Sequence, residues 1–138
     1  MLLINLLRIS GVGLLGLFLL NFALPRKFNW REEMAHLSLI NRRIFQVHAV
    51  FIAMILLMMG LLLVILPGAL LKPDALARAV LIGLVAFWGA RLVFQLFFYD
   101  SALWRGKRFE TAVHVTFSTF WLILTCVFSA ALWKTFQP

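Results

Sequence analysis

Four polar residues lie inside long apolar stretches of this 138-residue chain, where their side chains could bind a cofactor. They are His48, Arg91, Gln95 and His114. Ionisable groups are costly at membrane depth, so their presence there points to function or to contacts between helices. Imidazoles can ligate haem iron while guanidinium groups pair with its propionates. The same side chains can hydrogen-bond the headgroup of a quinone-like ligand.

Helical spacing adds further residues to this set. Trp88, Arg91, Gln95 and Tyr99 recur at steps of three and four, which places them on one face of a helix. A second polar stripe follows steps of three, four or seven: Thr111, His114, Ser118, Thr125 and Ser129. We therefore predict a cofactor-binding patch that consists of His48, His114, Arg91, Gln95, Tyr99 and Trp88.

A metal ion is a second interpretation of the histidines. His48 and His114 are its first predicted ligands. Weaker support comes from Glu33 and His36, spaced i, i+3, and from Glu110, which precedes His114 by four residues. Such a His and carboxylate set would suit zinc or iron. However, pairing with a neighbouring Lys or Arg is the commoner fate of glutamates like these.

The elements that must position these residues are long apolar runs. The chain is 64% hydrophobic and 13% charged, and its mean hydropathy is +1.00. Four runs, at about 3–24, 44–66, 75–99 and 109–133, each reach the length of ~20 residues that crosses a bilayer as a helix. Short connections make successive helices antiparallel neighbours. The predicted fold is all-α, an integral membrane antiparallel four-helix bundle that forms a single membrane domain over residues 1–138.

Local signals mark the ends and packing faces of these runs. Pro67 and Gly68 stop the second run, and Asp74 can cap the third. Gly11, Gly13 and Gly16 offer a smooth face for close helix packing in the first. The single cysteine, Cys126, leaves no partner for a disulfide within the chain, and we expect it to be a packed small residue.

Basic residues predict the orientation. They concentrate in the first and third connections: Arg26, Lys27, Arg31, Arg42, Arg43, Arg105, Lys107 and Arg108. The second connection has only Lys72 and Arg78 nearby. The positive-inside rule places the first and third connections in the cytoplasm and both termini on the other side of a plasma or inner membrane. We expect the basic residues behind the net charge of +8 to attract anionic lipid, and we do not expect nucleic acid as a partner.

The predicted patch lies at one depth. At 1.5 Å per residue, His48, Arg91, Gln95 and His114 sit roughly 7–14 Å from the cytoplasmic ends of three different spans. Two histidines on separate helices are also compatible with simple helix contacts, which hydrogen-bonding residues commonly make in membranes.

These observations leave three functions open. The first is an accessory or anchor subunit of a membrane-bound redox system, whose patch binds haem b or a quinone-like ligand. The second is a purely structural or assembly subunit without a cofactor, and the third is a protein that binds or transports a lipid-like ligand. We expect membrane lipid around the chain, and a partner membrane protein or a second copy of the chain beside it. No hydrolase or phosphate-loop motif is present, so the sequence does not indicate an enzyme.

Overall fold

Four long helices dominate the computed structural model, which describes residues 1–27, 29–98 and 106–137. They are α1 (Leu2–Lys27), α3 (Leu39–Ile65), α4 (Ala75–Phe97) and α5 (Arg108–Lys134). A short helix α2 (Trp30–Glu33) and a 3-10 turn (Met34–His36) precede α3, and a second 3-10 turn (Ala69–Leu71) precedes α4. Each long helix is long and apolar enough to cross a membrane, and the described part of the chain has no strand. The all-α class with four membrane-spanning helices is therefore confirmed.

Capping side chains set the starts of two spans. The Asp74 side chain accepts a hydrogen bond from the backbone N–H of Ala77 at 2.7 Å, which confirms its predicted capping role. Ser38 does the same for Asn41 at 3.4 Å. Because Ser38 caps there, α3 begins at Leu39, five residues before the predicted start. It ends at Ile65, just before the predicted Pro67-Gly68 stop.

The chain divides into two compact units. One contains Asn5–Pro67 and so holds most of α1 together with α2 and α3; we call it the N-terminal pair. The other contains Met1–Ile4 and Gly68–Pro138 and so holds α4 and α5; we call it the C-terminal pair. That the whole chain forms one membrane domain stays a prediction.

Two glycines bring the helices of the N-terminal pair into close contact. A Cβ atom built on Gly11 would lie 2.8 Å from the backbone oxygen of Gly60 and 2.8 Å from Val64. One built on Gly60 would lie 2.8 Å from the Leu15 side chain. Gly11 therefore lies beside Val64, and Leu15, one turn later in α1, lies beside Gly60, one turn earlier in α3. The two helices run antiparallel. The predicted small-residue contact is found at Gly11, whereas a Cβ on Gly16 would meet nothing within 4 Å.

The C-terminal pair is antiparallel as well. At one end, the Arg78 guanidinium donates to the carbonyl oxygen of Thr135 at 2.7 Å and lies 4.4 Å from the centre of the Phe136 ring. At the other end, Gln95 contacts His114. The residues between these ends span about 25 Å of helix. The buried side chains along this contact are largely apolar: Leu81, Leu84, Trp88, Trp121, Leu124, Phe128 and Ala131.

The outward faces of the helices are also apolar, as lipid contact requires. Met58 and Val93 are among many large hydrophobic side chains that are more than half exposed. Cys126 is exposed too, so its prediction as a packed residue is wrong. Exposure of a weakly polar thiol to lipid costs little free energy. The tendency of soluble proteins to bury cysteine therefore does not apply here.

We expect Gly11→Ala to destabilise the protein relative to Gly16→Ala. Overpacking of this kind typically costs about 1–3 kcal/mol, because the new methyl group would overlap the Gly60 backbone. The matched change at Gly16 meets open space and gains helix propensity, roughly 1 kcal/mol at most. Unfolding by SDS in mixed micelles, followed by circular dichroism, measures both. Equal stability of the two variants would contradict the close α1–α3 contact.

Candidate functional site

A hydrogen bond between two predicted site residues links α4 to α5. Gln95 is only 7% exposed, and its Nε2 atom lies 3.0 Å from Nδ1 of His114. Both are polar groups at membrane depth, and each supplies the other with a partner that lipid cannot provide. The structure therefore brings these two residues together, as the shared depth of their positions suggested.

This bond is compatible with two forms of the His114 ring. A glutamine amide can donate through nitrogen or accept through oxygen. When the amide donates to Nδ1, the ring proton of neutral His114 resides on Nε2. When the amide turns over, Nδ1 donates to it instead and Nε2 carries the lone pair. The bond to Gln95 alone therefore does not determine which nitrogen of His114 carries the proton.

Two stacked indoles lie next to this bond along the same helix contact. The ring centres of Trp88 and Trp121 are 4.9 Å apart and the planes differ by 22°. Phe117 stacks on Trp121 with ring centres 5.6 Å apart at 19°. Because Trp88 lies seven residues, about two turns, before Gln95, the stack continues the interface away from the polar end.

Both indole N–H groups of this stack lack a hydrogen-bond acceptor among the described residues. Trp88 is 2% exposed and Trp121 3% exposed, and the Nε1 atom of each is buried. A buried donor without an acceptor costs about 1–3 kcal/mol. The C-terminal pair thus holds two strong donors whose hydrogen bonds are unfilled.

The Arg91 guanidinium lies between the polar and the aromatic parts of this site. Its Cζ atom is 5.4 Å from the centre of the Trp121 ring, within the range of a cation–π contact. Arg91 lies one turn from Gln95 along α4. Its charge therefore stands close to both the indole stack and the Gln95–His114 bond. We call these five residues the α4–α5 site: Trp88, Arg91, Gln95, His114 and Trp121.

The hydroxyl groups of the predicted stripe on α5 hydrogen-bond to their own helix. Ser118 donates to the carbonyl oxygen of His114, and Thr125 donates to that of Trp121, each at 2.8 Å. Such bonds to the preceding turn are usual for Ser and Thr within helices. These two hydroxyls are satisfied locally and do not form part of the α4–α5 site.

His48 belongs to the N-terminal pair and is exposed on α3. Its Nδ1 atom lies 2.8 Å from the backbone oxygen of Ile44. A carbonyl oxygen only accepts, so Nδ1 carries the proton, and in the neutral ring Nε2 carries the lone pair. This is the form in which histidines bind metal ions. The predicted convergence of His48 with the residues of α4 and α5 stays a prediction.

The remaining predicted residues occupy other places. His36 is exposed at the end of its 3-10 turn, and Glu110 is exposed in the first turn of α5. Tyr99 and the side chain of Glu33 lie outside the described residues. Within the described parts of the chain, no three His, Cys, Asp or Glu residues are grouped so that they could hold a metal ion. The metal site stays a prediction.

Sequence reasoning missed Trp121, the residue at the centre of the aromatic stack. Its position carries a usable signal, because it lies seven residues after His114 and four before Thr125, on the same predicted helix face. The predicted stripe on α5 contains only hydroxyl and imidazole side chains. An aromatic residue with a polar N–H group on a polar stripe is the signal that could have added Trp121 to the predicted site.

Comparison of the chain with family models, curated proteins and solved structures finds no match in any of the three.

We expect 15N NMR of the imidazoles to report these hydrogen bonds. The His48 ring should show its proton on Nδ1. Gln95→Glu should hold the His114 proton on Nδ1 as well, because a carboxylate only accepts. Ser118→Ala is the matched control, since it removes a hydroxyl one turn from His114 that bonds only to the backbone. A His114 ring whose proton lies on Nε2 in Gln95→Glu would contradict the Gln95–His114 bond.

Proposed function

We propose that this chain is a membrane-embedded accessory subunit of a redox system and that its α4–α5 site binds a quinone-like ligand. Two buried indole N–H groups without an acceptor carry this proposal. A ligand that offers carbonyl oxygens would supply acceptors to Trp88 and Trp121, and its apolar tail would remain in lipid.

The charge of the site favours the same class of ligand. Arg91, Trp88 and Trp121 are all donors. Helix α4 has no Asp or Glu, and the single carboxylate of α5, Glu110, is exposed in its first turn. A donor-rich site without carboxylates suits a ligand that accepts hydrogen bonds and gains negative charge when it is reduced. The exchangeable proton of the Gln95–His114 pair would suit a ligand whose reduction takes up protons.

The structural alternative interprets the same residues as contacts between helices. Indole stacking is worth about 0.5–1.5 kcal/mol beyond area burial, and side-chain hydrogen bonds within membranes average roughly 0.6 kcal/mol. The Gln95–His114 bond and the Trp88–Trp121 stack would then only hold α4 against α5. Both functions need the same contacts, so ligand binding must be measured directly.

We expect a quinone with a ten-carbon tail to raise the melting temperature of the purified chain in detergent micelles. Trp88→Phe and Trp121→Phe retain an aromatic ring but remove one donor each, so Kd should rise by about two- to tenfold. Trp133→Phe is the matched control, because Trp133 is 70% exposed near the far end of α5. Quenching of the remaining tryptophan fluorescence measures Kd.

Two outcomes would count against the quinone site. A wild-type protein whose melting temperature does not respond to the quinone would favour the structural alternative. A Kd that rises equally in Trp133→Phe would show that the ligand does not use the buried indoles.

Haem b is the second candidate, and the His48 ring favours it. Because Nδ1 of His48 donates to Ile44, Nε2 is the nitrogen available in the neutral ring for iron. A reduced-minus-oxidised visible spectrum of the purified chain tests this. We expect sharp bands that disappear in His48→Ala, which removes the ligating Nε2. A spectrum without such bands would contradict the haem hypothesis and would not affect the quinone proposal.

We place both termini on the non-cytoplasmic side of a plasma or inner membrane. Support comes from the basic connections that precede α3 and α5, because Arg42, Arg43, Lys107 and Arg108 lie where the positive-inside rule expects cytoplasm. A reporter enzyme that is active only outside the cytoplasm, fused to the C-terminus, tests this placement. An inactive but expressed fusion would reverse it.

A further inference from the structure

A groove of about 470 Å³ runs along the first turns of α5, apart from the α4–α5 site. This volume lies within the range of small-molecule pockets in proteins. Within the described parts of the chain, its lining consists of Gly106, Lys107, Arg108, Thr111, Ala112 and Val115.

The groove is charged at one end and apolar at the other. Arg108, Thr111, Ala112 and Val115 follow steps of three, four and seven, so they share one face of the helix. The cationic end therefore lies about 10 Å along the helix from the apolar end. Lys107 adds a second positive charge beside Arg108, and both are exposed.

The only acidic group among the first residues of α5 does not balance this charge. Glu110 is exposed in the first turn and does not line the groove. Among the residues that the structure describes, the lining thus has two cations and no carboxylate. Charge complementarity calls for an anionic ligand at this end, and the small apolar side chains beyond it call for hydrocarbon.

We propose that this groove binds an anionic phospholipid. Lys107 and Arg108 bind its phosphate, and the first part of an acyl chain packs along Ala112 and Val115. Free phosphate would leave the apolar end uncovered, whereas a phospholipid satisfies both ends. Basic pockets at the ends of membrane helices recruit anionic headgroups through this combination of charge and apolar contact.

Native mass spectrometry of the full chain in detergent tests the proposal with two lipids of equal acyl chains. We expect phosphatidylglycerol to bind more tightly than phosphatidylcholine. Lys107→Gln combined with Arg108→Gln should weaken phosphatidylglycerol binding by about 25-fold, since each cation near an anionic lipid contributes roughly a fivefold factor. Ala112→Trp should also weaken it, because the indole fills the groove while both charges remain.

Lys72→Gln combined with Lys134→Gln is the matched control. It removes the same charge from two exposed residues at the other end of the C-terminal pair, and it should bind phosphatidylglycerol like the wild type. Weakening equal to that of the Lys107 and Arg108 variant would overturn the proposal, because net charge alone would then explain binding. Wild-type affinity in Ala112→Trp, or equal affinity for the two lipids, would overturn it as well. Circular dichroism confirms that each variant is folded.

Discussion

Hydrocarbon offers no hydrogen-bond partners, and this constraint explains most of what the chain does with its polar side chains. Backbone groups within a span are satisfied by the helix itself. Polar side chains have three remaining options, and α5 shows all of them. Ser118 and Thr125 bond to their own backbone, His114 bonds across to Gln95, and the Trp121 N–H has no acceptor among the described residues. Only a donor of the third kind is left for a ligand to hydrogen-bond.

The two helix pairs solve close packing in different ways. In the N-terminal pair, Gly11 and Gly60 remove side chains so that the backbones approach each other. In the C-terminal pair, large aromatic rings fill the interface, and at Gly89 an added Cβ would come only within 3.9 Å of Thr125. A glycine contact excludes ligands because no space remains. An aromatic interface with unfilled donors is the better place for a ligand of planar shape.

Sequence reasoning succeeded where a physical rule acts on consecutive residues. The spans follow from the length of the apolar runs, and the start of α4 follows from Asp74, because a cap acts within one turn. The start of α3 differs from the start of the predicted span. The apolar run begins after Arg43, whereas the helix begins at the Ser38 cap. The hydropathy of the sequence indicates which part of a helix is apolar enough to lie in lipid. Hydrogen bonding at the cap decides where the helix starts.

Contacts between helices were predicted less completely. Helical spacing placed Gln95 and His114 on inward faces, but nothing local states that Nε2 of one would meet Nδ1 of the other. The Trp88–Trp121 stack depends on the register of α4 against α5, which many side chains determine together. Arg78 is a further example. Counted from the sequence as a loop cation, it bonds to the Thr135 carbonyl near the end of α5.

The two histidines of the predicted patch differ in a way that residue type alone does not reveal. The partner of His48 is a carbonyl, which can only accept, so its ring has one form when neutral. His114 bonds to an amide, which can donate or accept, so this bond is compatible with two forms of the ring. A ring fixed with the lone pair on Nε2 is suited to hold a metal ion. A ring that can move its proton is suited to chemistry in which protons are exchanged. Under the proposed functions, the hydrogen-bond partner of each histidine, more than the residue type, would separate a ligand for iron from a site for a quinone.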